Sequence, residues 1–321
     1  MSKQLCIAAL QFIEVDEALG RGDRFADDIF VTNDTEVIRQ HLTADMALAF
    51  GRLEMNAIAS AKLVAYRVVE TVDGGIDVAD VALLSFLHEL NKLMLALWIV
   101  KANAVSFENA FLSWPLSGGM VVTSKNYWDG AYSNASGEQT GTKFSRTELR
   151  AARKIHERLW RPSSPAEHVA GEPTKPDLPR LSRALYFLQA ARHAAALSMK
   201  VAFYCSAFES LLSTDSSELS HKLAERVAWI IAQNAETRLE VFRRLKAAYS
   251  IRSHAIHGSQ ISQKKQAQEL RAASEDCDAN LRSLFASIIT SPVLRHLYIE
   301  TEATRDELEA ALVRLCLDPT R

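Results

Sequence analysis

Cysteine is scarce in this sequence, and the few cysteines present are scattered. Four occur among 321 residues: Cys6, Cys205, Cys277 and Cys316. None of them pairs in a C-x-x-C spacing, so the sequence indicates neither a zinc site nor a disulfide framework. Cys205 lies within an apolar helical pattern, which predicts a small buried hydrophobic residue. We therefore expect a protein that holds no metal and no other cofactor.

Long apolar runs are also absent. The longest uninterrupted run, Leu93 to Val100, is far too short for a helix that crosses a bilayer. The first residues, Met1 to Cys6, lack the layout of a signal peptide. These two absences predict a cytoplasmic protein with no membrane partner.

The sequence lacks the common motifs of nucleotide and hydrolase chemistry. Neither the phosphate-binding loop G-x-x-x-x-G-K-[ST] nor the dinucleotide fingerprint G-x-G-x-x-G occurs. His88 and Glu89 do not continue as H-E-x-x-H, because Lys92 stands where the second histidine would be. Ser117 lacks the preceding glycine of a nucleophile elbow. The sequence therefore gives no support to these enzyme classes.

Proline is rare except in one segment. Five of the eight prolines fall within Arg161–Pro179. Because proline removes a backbone donor and disfavours a helix at the preceding residue, this segment predicts a linker or an ordered extended crossing. The predicted organisation is an N-terminal α+β domain over residues 1–160, a linker over 161–179 and a helical domain over 180–321.

Neither sign of charge dominates the whole chain. The formal net charge of -2 argues against a polycationic nucleic-acid binder. The average conceals an asymmetry, since residues 180–290 hold 15 Lys/Arg against 10 Asp/Glu, whereas residues 1–179 hold 18 against 23. A basic second half therefore indicates an anionic partner for that half.

The N-terminal half has mixed periodicity. Apolar residues at helical spacing predict helices over Ala44–Val69, Val78–Val105 and Thr147–Leu159. Short β-type runs predict strands over Leu5–Val15 and Ile29–Thr32, and a hairpin of Phe111–Trp114 with Met120–Thr123. Asp34 is placed to cap a helix. The expected N-terminal fold is a mainly helical domain with a small β-sheet, suited to regulation or recruitment of a partner.

Strand patterns vanish after the linker. The spacing of apolar residues predicts helices over Leu181–Ala196, Leu197–Leu212, Glu218–Gln233, Glu236–His257, Ser262–Ile289 and Asp306–Leu317. Short connections between helices imply antiparallel neighbours in a bundle. The predicted fold class is therefore mainly α, with no strand between Leu181 and Ile289.

The helix over Glu236–His257 carries the most informative pattern. Its apolar stripe consists of Leu239, Phe242, Leu245, Tyr249, Arg252 and Ile256, at spacings of three and four. Arg252 therefore stands on a face that should be buried, where it needs a partner or a water-filled groove. His257 follows about 140° further around the helix. The two converge only if the helix unwinds near Gly258 or if two subunits contribute.

Three blocks in this half resemble one family. They are Phe208–Leu212, Glu218–Ala224 and Tyr249–Gly258, and together they look like an Apea-like HEPN domain. The resemblance covers about a third of the chain. It implies an antiparallel HEPN bundle, commonly a homodimer in which Arg/His pairs face a shared cleft. Many such proteins are metal-independent endoribonucleases, and others are inactive RNA-binding or assembly modules.

The resemblance assigns catalytic roles to Arg252 and His257, with Ser253, His254 and Glu209 as supporting residues. A histidine near neutrality can move the proton of the RNA 2′-hydroxyl, and an arginine can hold the phosphate. Expected partners are RNA, a second copy of the chain and a protein that binds the N-terminal domain. A toxin or defence role would follow by family analogy alone.

Simpler interpretations stand beside each of these roles. Arg252 can form a structural ion pair, for which Glu209 is a plausible partner. His257 can be a C-terminal cation that interacts with the helix dipole. The basic cluster that includes Arg243, Arg244 and Lys246 is either a solvated face or an RNA-binding surface.

Overall fold

The computed structural model of the chain describes residues 3–70, 76–116, 119–125, 132–160, 178–215, 219–257 and 263–317. The chain divides into two compact units. The first comprises Met1–Tyr132 and Gln139–Glu157, and the second comprises Ser133–Glu138 and Arg158–Arg321. Most of the predicted linker, residues 161–177, lies outside the described residues.

An antiparallel sheet is the framework of the first unit. Its strands are β1 (Lys3–Leu10), β3 (Asp23–Arg24), β4 (Ile29–Thr32), β5 (Leu63–Glu70), β6 (Ala110–Leu116) and β7 (Gly119–Lys125). In the described residues they lie in the order β3-β4-β5-β1-β6-β7. A separate parallel pair joins β2 (Ile13–Val15) to β8 (Thr142–Phe144). The predicted strand over Ile29–Thr32 and the β6–β7 hairpin are confirmed.

The strand predicted over Leu5–Val15 is interrupted. β1 ends at Leu10, and Phe12 has a φ of 57°, a left-handed conformation that bulky residues rarely adopt. The chain then resumes as β2, which pairs with β8 and not with the main sheet. A run of apolar residues does not reveal such a change of direction.

The helix predicted over Ala44–Val69 is wrong in its second half. Residues Ala44–Phe50 and Arg52–Ala59 are helical, but Leu63–Glu70 forms β5, which pairs with β4 on one side and β1 on the other. Residues 63–67 of this strand are all buried. Because both faces are covered, the strand has a continuous apolar run without the alternation that marks a half-exposed strand.

Five helices complete the first unit. They are α1 (Thr35–His41), α2 (Ala44–Phe50), α3 (Arg52–Ala59), α4 (Ile76–Val100) and α5 (Arg146–Leu159). Helix α5 contacts α4 through His156 and Glu89. Ile38, Met46 and Ile58 of α1–α3 form one buried cluster with Ile7 and Val64 of the sheet. The Asp34 carboxylate accepts from the backbone N–H groups at the start of α1, which confirms the predicted cap.

Helix α4 is apolar enough for a second interpretation. By length and composition alone, Asp80–Val100 could cross a membrane, a possibility that the uninterrupted run Leu93–Val100 did not reveal. However, 67% of the most apolar 18-residue stretch of this helix is buried inside the structure, as in the core helix of a soluble protein. Arg67 of β5, whose guanidinium lies over the Phe86 ring of α4, shows one of these contacts.

The second unit is a helical bundle. Its helices are α6 (Arg180–His193), α7 (Leu197–Leu212), α8 (Leu219–Ile231), α9 (Ala235–His257), α10 (Gln263–Thr290), α11 (Pro292–Arg295) and α12 (Arg305–Leu317), with a π-helical turn at His296–Glu300. Every predicted helix is present within a few residues of its predicted ends. The described residues between Leu181 and Ile289 contain no strand, as the periodicity predicted.

A short segment from the N-terminal half of the sequence belongs to this bundle. Ser133 donates from its backbone N–H and its hydroxyl to the Arg192 carbonyl, at 2.9 and 3.0 Å. The Ser274 hydroxyl donates to the Ala135 carbonyl at 2.6 Å. Arg271 and Glu138 form an ion pair at 2.9 Å. Residues Ser133–Glu138 are therefore bound to α6 and α10 by hydrogen bonds and an ion pair. The distribution of charge and proline in the sequence did not indicate these contacts.

Candidate functional site

Helix α9 carries the predicted site, and only the centre of its apolar stripe is buried. Leu245 and Tyr249 are buried, whereas the outer residues Leu239 and Ile256 are 47% and 53% exposed. The Tyr249 hydroxyl donates to the Cys205 carbonyl of α7 at 3.3 Å, and burial raises the pKa of Tyr249 well above its ordinary value. Tyr249 thus fixes α9 against α7 one turn before Arg252.

Arg252 meets Glu209 of α7. The Nη2 atom of Arg252 lies 3.2 Å from both carboxylate oxygens of Glu209, and Oε2 accepts its hydrogen bond. The side chains are 30% and 20% exposed, respectively. The spacing of apolar residues predicted that Arg252 lies on a buried face, with Glu209 as a plausible partner. The structure shows these two side chains in an ion pair.

This ion pair is incompletely bonded. The buried atoms Arg252 Nε and Glu209 Oε1 have no hydrogen-bond partner among the described residues. Burial raises the pKa of Glu209 and outweighs the opposing effect of the Arg252 charge. Since buried polar groups normally find partners, the pair retains capacity for another polar group. An anion beside the guanidinium would supply the missing acceptor.

The remaining residues of the motif lie around the end of α9. The helix continues to His257 without unwinding, so positions 252 and 257 stand about 140° apart on its circumference. The His257 side chain and Gly258 lie outside the described residues. Ser253 is exposed, and His254 donates from Nδ1 to the Ser250 carbonyl at 2.6 Å. Within one chain, the backbone does not bring Arg252 and His257 to one face.

The three cations predicted to bind RNA differ in availability. Arg244 forms ion pairs with Asp276 and Glu240. Lys246 donates to the Ser220 hydroxyl at 3.0 Å. Arg243 is exposed and makes no ion pair with the described residues. The cluster is therefore partly neutralised within the bundle.

The sequence did not indicate one contact between neighbouring helices. Arg238, in the first turn of α9, stacks over Trp229, in the last turn of α8, with 3.8 Å from Cζ to the ring centroid. The only sequence feature that could have indicated this contact is an aromatic residue and an arginine on the two sides of a short connection between helices. Helical periodicity alone does not show that they touch.

The described residues contain no group of three or more His, Cys, Asp or Glu side chains that could hold a metal ion. Comparison of the chain with protein-family models, with curated proteins and with solved structures gave no match.

Proposed function

We propose that the chain is a metal-independent endoribonuclease of the HEPN type, cytoplasmic and dimeric, whose site contains Arg252 and His257. The observation that supports this most is the incompletely bonded Arg252–Glu209 pair at the exposed end of a bundle helix. A toxin or defence role is the biological setting that the family analogy suggests.

The reaction uses the nucleophile that RNA itself carries. His257 takes the proton of the 2′-hydroxyl, whose oxygen attacks the adjacent phosphorus and expels the 5′-oxygen of the next nucleotide. The products are a 2′,3′-cyclic phosphate and a 5′-hydroxyl end. The leaving oxygen takes its proton from water, and His257 then returns the proton that it took to the solvent. Arg252 donates hydrogen bonds to the phosphate and stabilises the charge that grows in the transition state.

Glu209 acts on Arg252 and does not touch the RNA in this proposal. Its single hydrogen bond holds Nη2, and a phosphate would bind at the exposed part of the Arg252 side chain, which is 30% exposed. A guanidinium bound on one side is preorganised, so less conformational freedom is lost when the phosphate binds.

The same geometry supports a dimer. Positions 252 and 257 project apart on one helix, so a composite site requires Arg252 of one copy and His257 of the other. The exposed Ile256, one helical turn after Arg252, lies on the face that also bears Arg252. In an isologous contact, each motif would meet its copy across the two-fold axis.

The direct test is incubation of the purified full chain with mixed RNA in excess EDTA. We expect cleavage that leaves 2′,3′-cyclic phosphate ends and spares DNA, which lacks the 2′-hydroxyl. His257→Ala should abolish it, and His296→Ala, at a histidine outside the motif that lies 3.5 Å from Glu300, should retain it. Activity that requires magnesium, or that survives in His257→Ala, contradicts the mechanism.

A second candidate is a non-catalytic HEPN module that binds RNA or assembles with a partner. It is favoured by the carboxylate that Arg252 already has within its own chain. In either case, the N-terminal unit serves regulation or recruitment, for which the strongly exposed Leu48 and Leu53 offer an apolar contact. RNA binding without cleavage across diverse RNAs separates this candidate from the nuclease.

A further inference from the structure

A cavity of about 490 Å³ opens at the opposite end of α9 from Arg252. It lies among the end of α8, the start of α9, the end of α10 and the start of α11. Its walls include Trp229, Arg238, Ser287, Thr290 and Leu294. Small-molecule sites commonly have volumes of roughly 300 to 1,000 Å³. The cavity can therefore hold a ligand the size of a nucleoside.

Arg238 lines this cavity, and one edge of its guanidinium makes no hydrogen bond with the described residues. The other edge of its guanidinium bonds to backbone, with Nε donating to the Ala232 carbonyl at 3.2 Å and Nη2 to the Gln233 carbonyl at 3.4 Å. Its plane is held against the Trp229 ring. Among the described residues, the edge formed by Nη1 and the second Nη2 hydrogen makes no hydrogen bond. This fixed fork suits a ligand with two adjacent acceptors.

The opposite wall offers acceptors. The Ser287 hydroxyl donates to the Ser283 carbonyl at 3.0 Å, and the Thr290 hydroxyl donates to the Ala286 carbonyl at 2.7 Å. Because each hydroxyl hydrogen is used within α10, only oxygen lone pairs remain for a ligand. Those oxygens therefore favour a ligand that also carries N–H donors.

The helix ends at this cavity favour neither sign of charge. Helices α8 and α10 end there and α9 and α11 begin there, so the partial charges of their dipoles oppose one another. A free carboxylate or phosphate would satisfy the arginine fork but would face the hydroxyl lone pairs of Ser287 and Thr290. A neutral planar ligand with acceptors on one edge and donors on another fits all of the walls.

We propose that this cavity binds a guanine base. Guanine has adjacent O6 and N7 acceptors, which an arginine fork reads in a bidentate manner, and N1–H and N2–H donors on the next edge. Trp229, Ile230 and Leu294 supply the aromatic and apolar contacts that a base needs. Adenine lacks the second acceptor beside N7, since its N6 is a donor.

In the RNA substrate, the guanine would be a specificity contact, an assignment that rests on the proposed ribonuclease function. Arg238 precedes Arg252 by 14 residues of continuous helix, or about 21 Å along α9. The bound guanosine therefore lies several nucleotides from the cleaved bond. The same chemistry could instead be offered by a free guanine nucleotide, so both sources are tested.

The first arm measures binding of guanosine, adenosine, cytidine and uridine monophosphates to the full chain by calorimetry. We expect guanosine monophosphate to bind best and Arg238→Lys to weaken it at least about tenfold, because lysine keeps the charge but loses the fork. Trp229→Leu should weaken all binding there. The same exchange at Arg295, paired with Glu300 outside the cavity, is the matched control. Equal binding of all four nucleotides, or no loss in Arg238→Lys, overturns the guanine site.

The second arm maps cleavage of RNAs that differ only by one guanosine at varied distances from the cut. We expect one favoured distance, lost in Arg238→Lys while slow cleavage persists. Cleavage with unchanged base preference in that variant overturns the substrate assignment and leaves the nuclease proposal intact. Guanosine monophosphate binding without any RNA cleavage overturns the nuclease and leaves a free-nucleotide site.

Discussion

Two glutamates, one in each unit, have equally exposed side chains and opposite pKa shifts. Glu89 of the first unit and Glu209 of the second are both 20% exposed. Glu89 has its pKa lowered to about 2, although burial opposes this, because hydrogen bonds from His156 and Lys92 favour its charged form. Glu209 has its pKa raised, because burial outweighs the Arg252 charge.

The difference lies in how many hydrogen bonds each carboxylate accepts. Glu89 accepts from Lys92 at 2.7 Å and has His156 Nε2 at 2.8 Å, one partner on each oxygen. Glu209 accepts one bond of 3.2 Å, and its second oxygen has no hydrogen bond. A fully bonded carboxylate stabilises packing between helices, whereas the incompletely bonded pair keeps buried polar atoms without a partner among the described residues. Burial alone does not distinguish the two cases.

The largest expected effect is on catalysis by the incompletely bonded pair. Arg252→Ala should reduce RNA cleavage at least about 100-fold, because a donor to the transition state is lost. The free energy of unfolding should fall by less than about 1 kcal/mol, because one long, partly exposed ion pair contributes little. Initial cleavage rates and urea unfolding measure the two quantities. A large loss of stability with unchanged cleavage would make Arg252 structural, like Glu89.

The second largest effect is expected on the oligomeric state, because the proposed site needs residues from two copies of the chain. Ile256→Asp should convert a dimer to a monomer at micromolar concentration, because it places charge on the exposed stripe of α9. Light scattering measures the change. Val313→Asp, at another exposed apolar position of the same unit, should leave the dimer intact. A wild-type monomer, or a dimer that both variants retain, would contradict the composite site.

The third prediction concerns Glu89, whose hydrogen bonds should contribute to the free energy of unfolding. Glu89→Gln should lower the free energy of unfolding by about 2 kcal/mol at pH 7. The folded-state pKa is lowered, so this contribution is present above pH 4.5, the ordinary value, and is lost as pH falls through about 2. Urea unfolding at pH 7 and pH 3 should show the difference shrinking. Glu157→Gln, which breaks the exposed pair with Arg153, is the control and should change little.

The smallest expected effect is the pH response of Glu209. Its raised folded-state pKa means that the folded chain binds this proton more tightly than the unfolded chain. The resulting stabilisation is present below pH 4.5 and is lost as pH rises through the raised pKa. Glu209→Gln should remove this loss of stability with rising pH. The urea concentration at the unfolding midpoint should then change less between pH 4 and pH 7 in the variant than in the wild type. A steeper decline in the variant would show that Arg252 dominates the pair.

Local patterns predicted the helical elements well, for a physical reason. The bundle helices are long and have one apolar side, so the apolar spacing marks nearly their full length. The Asp34 cap was equally local, because a cap depends on residues only two or three positions away. Strand β5 was missed because its burial on both faces depends on neighbours that come from distant parts of the chain.

The sequence predicted which residues form the candidate site, but it did not predict how their side chains are bonded. The position of Arg252 within an apolar stripe indicated that it needs a partner, and Glu209 was one plausible choice. The unbonded Arg252 Nε and Glu209 Oε1 atoms depend on side-chain geometry across 43 residues of chain. The Trp229–Arg238 stack required the angle between two helices, which residue spacing does not determine.

The contacts of Ser133–Glu138 with the bundle determine where the chain can be cut to produce the bundle as a separate fragment. A fragment that begins at the proline-rich segment would lack Ser133, and the Arg192 carbonyl at the end of α6 would lose the two hydrogen bonds that Ser133 donates to it. Ser274 and Arg271 would likewise lose their partners on that segment. A recombinant bundle cut at the apparent linker is therefore missing a piece of its own surface. A synthetic peptide spanning residues 133–138 should restore its melting temperature in part.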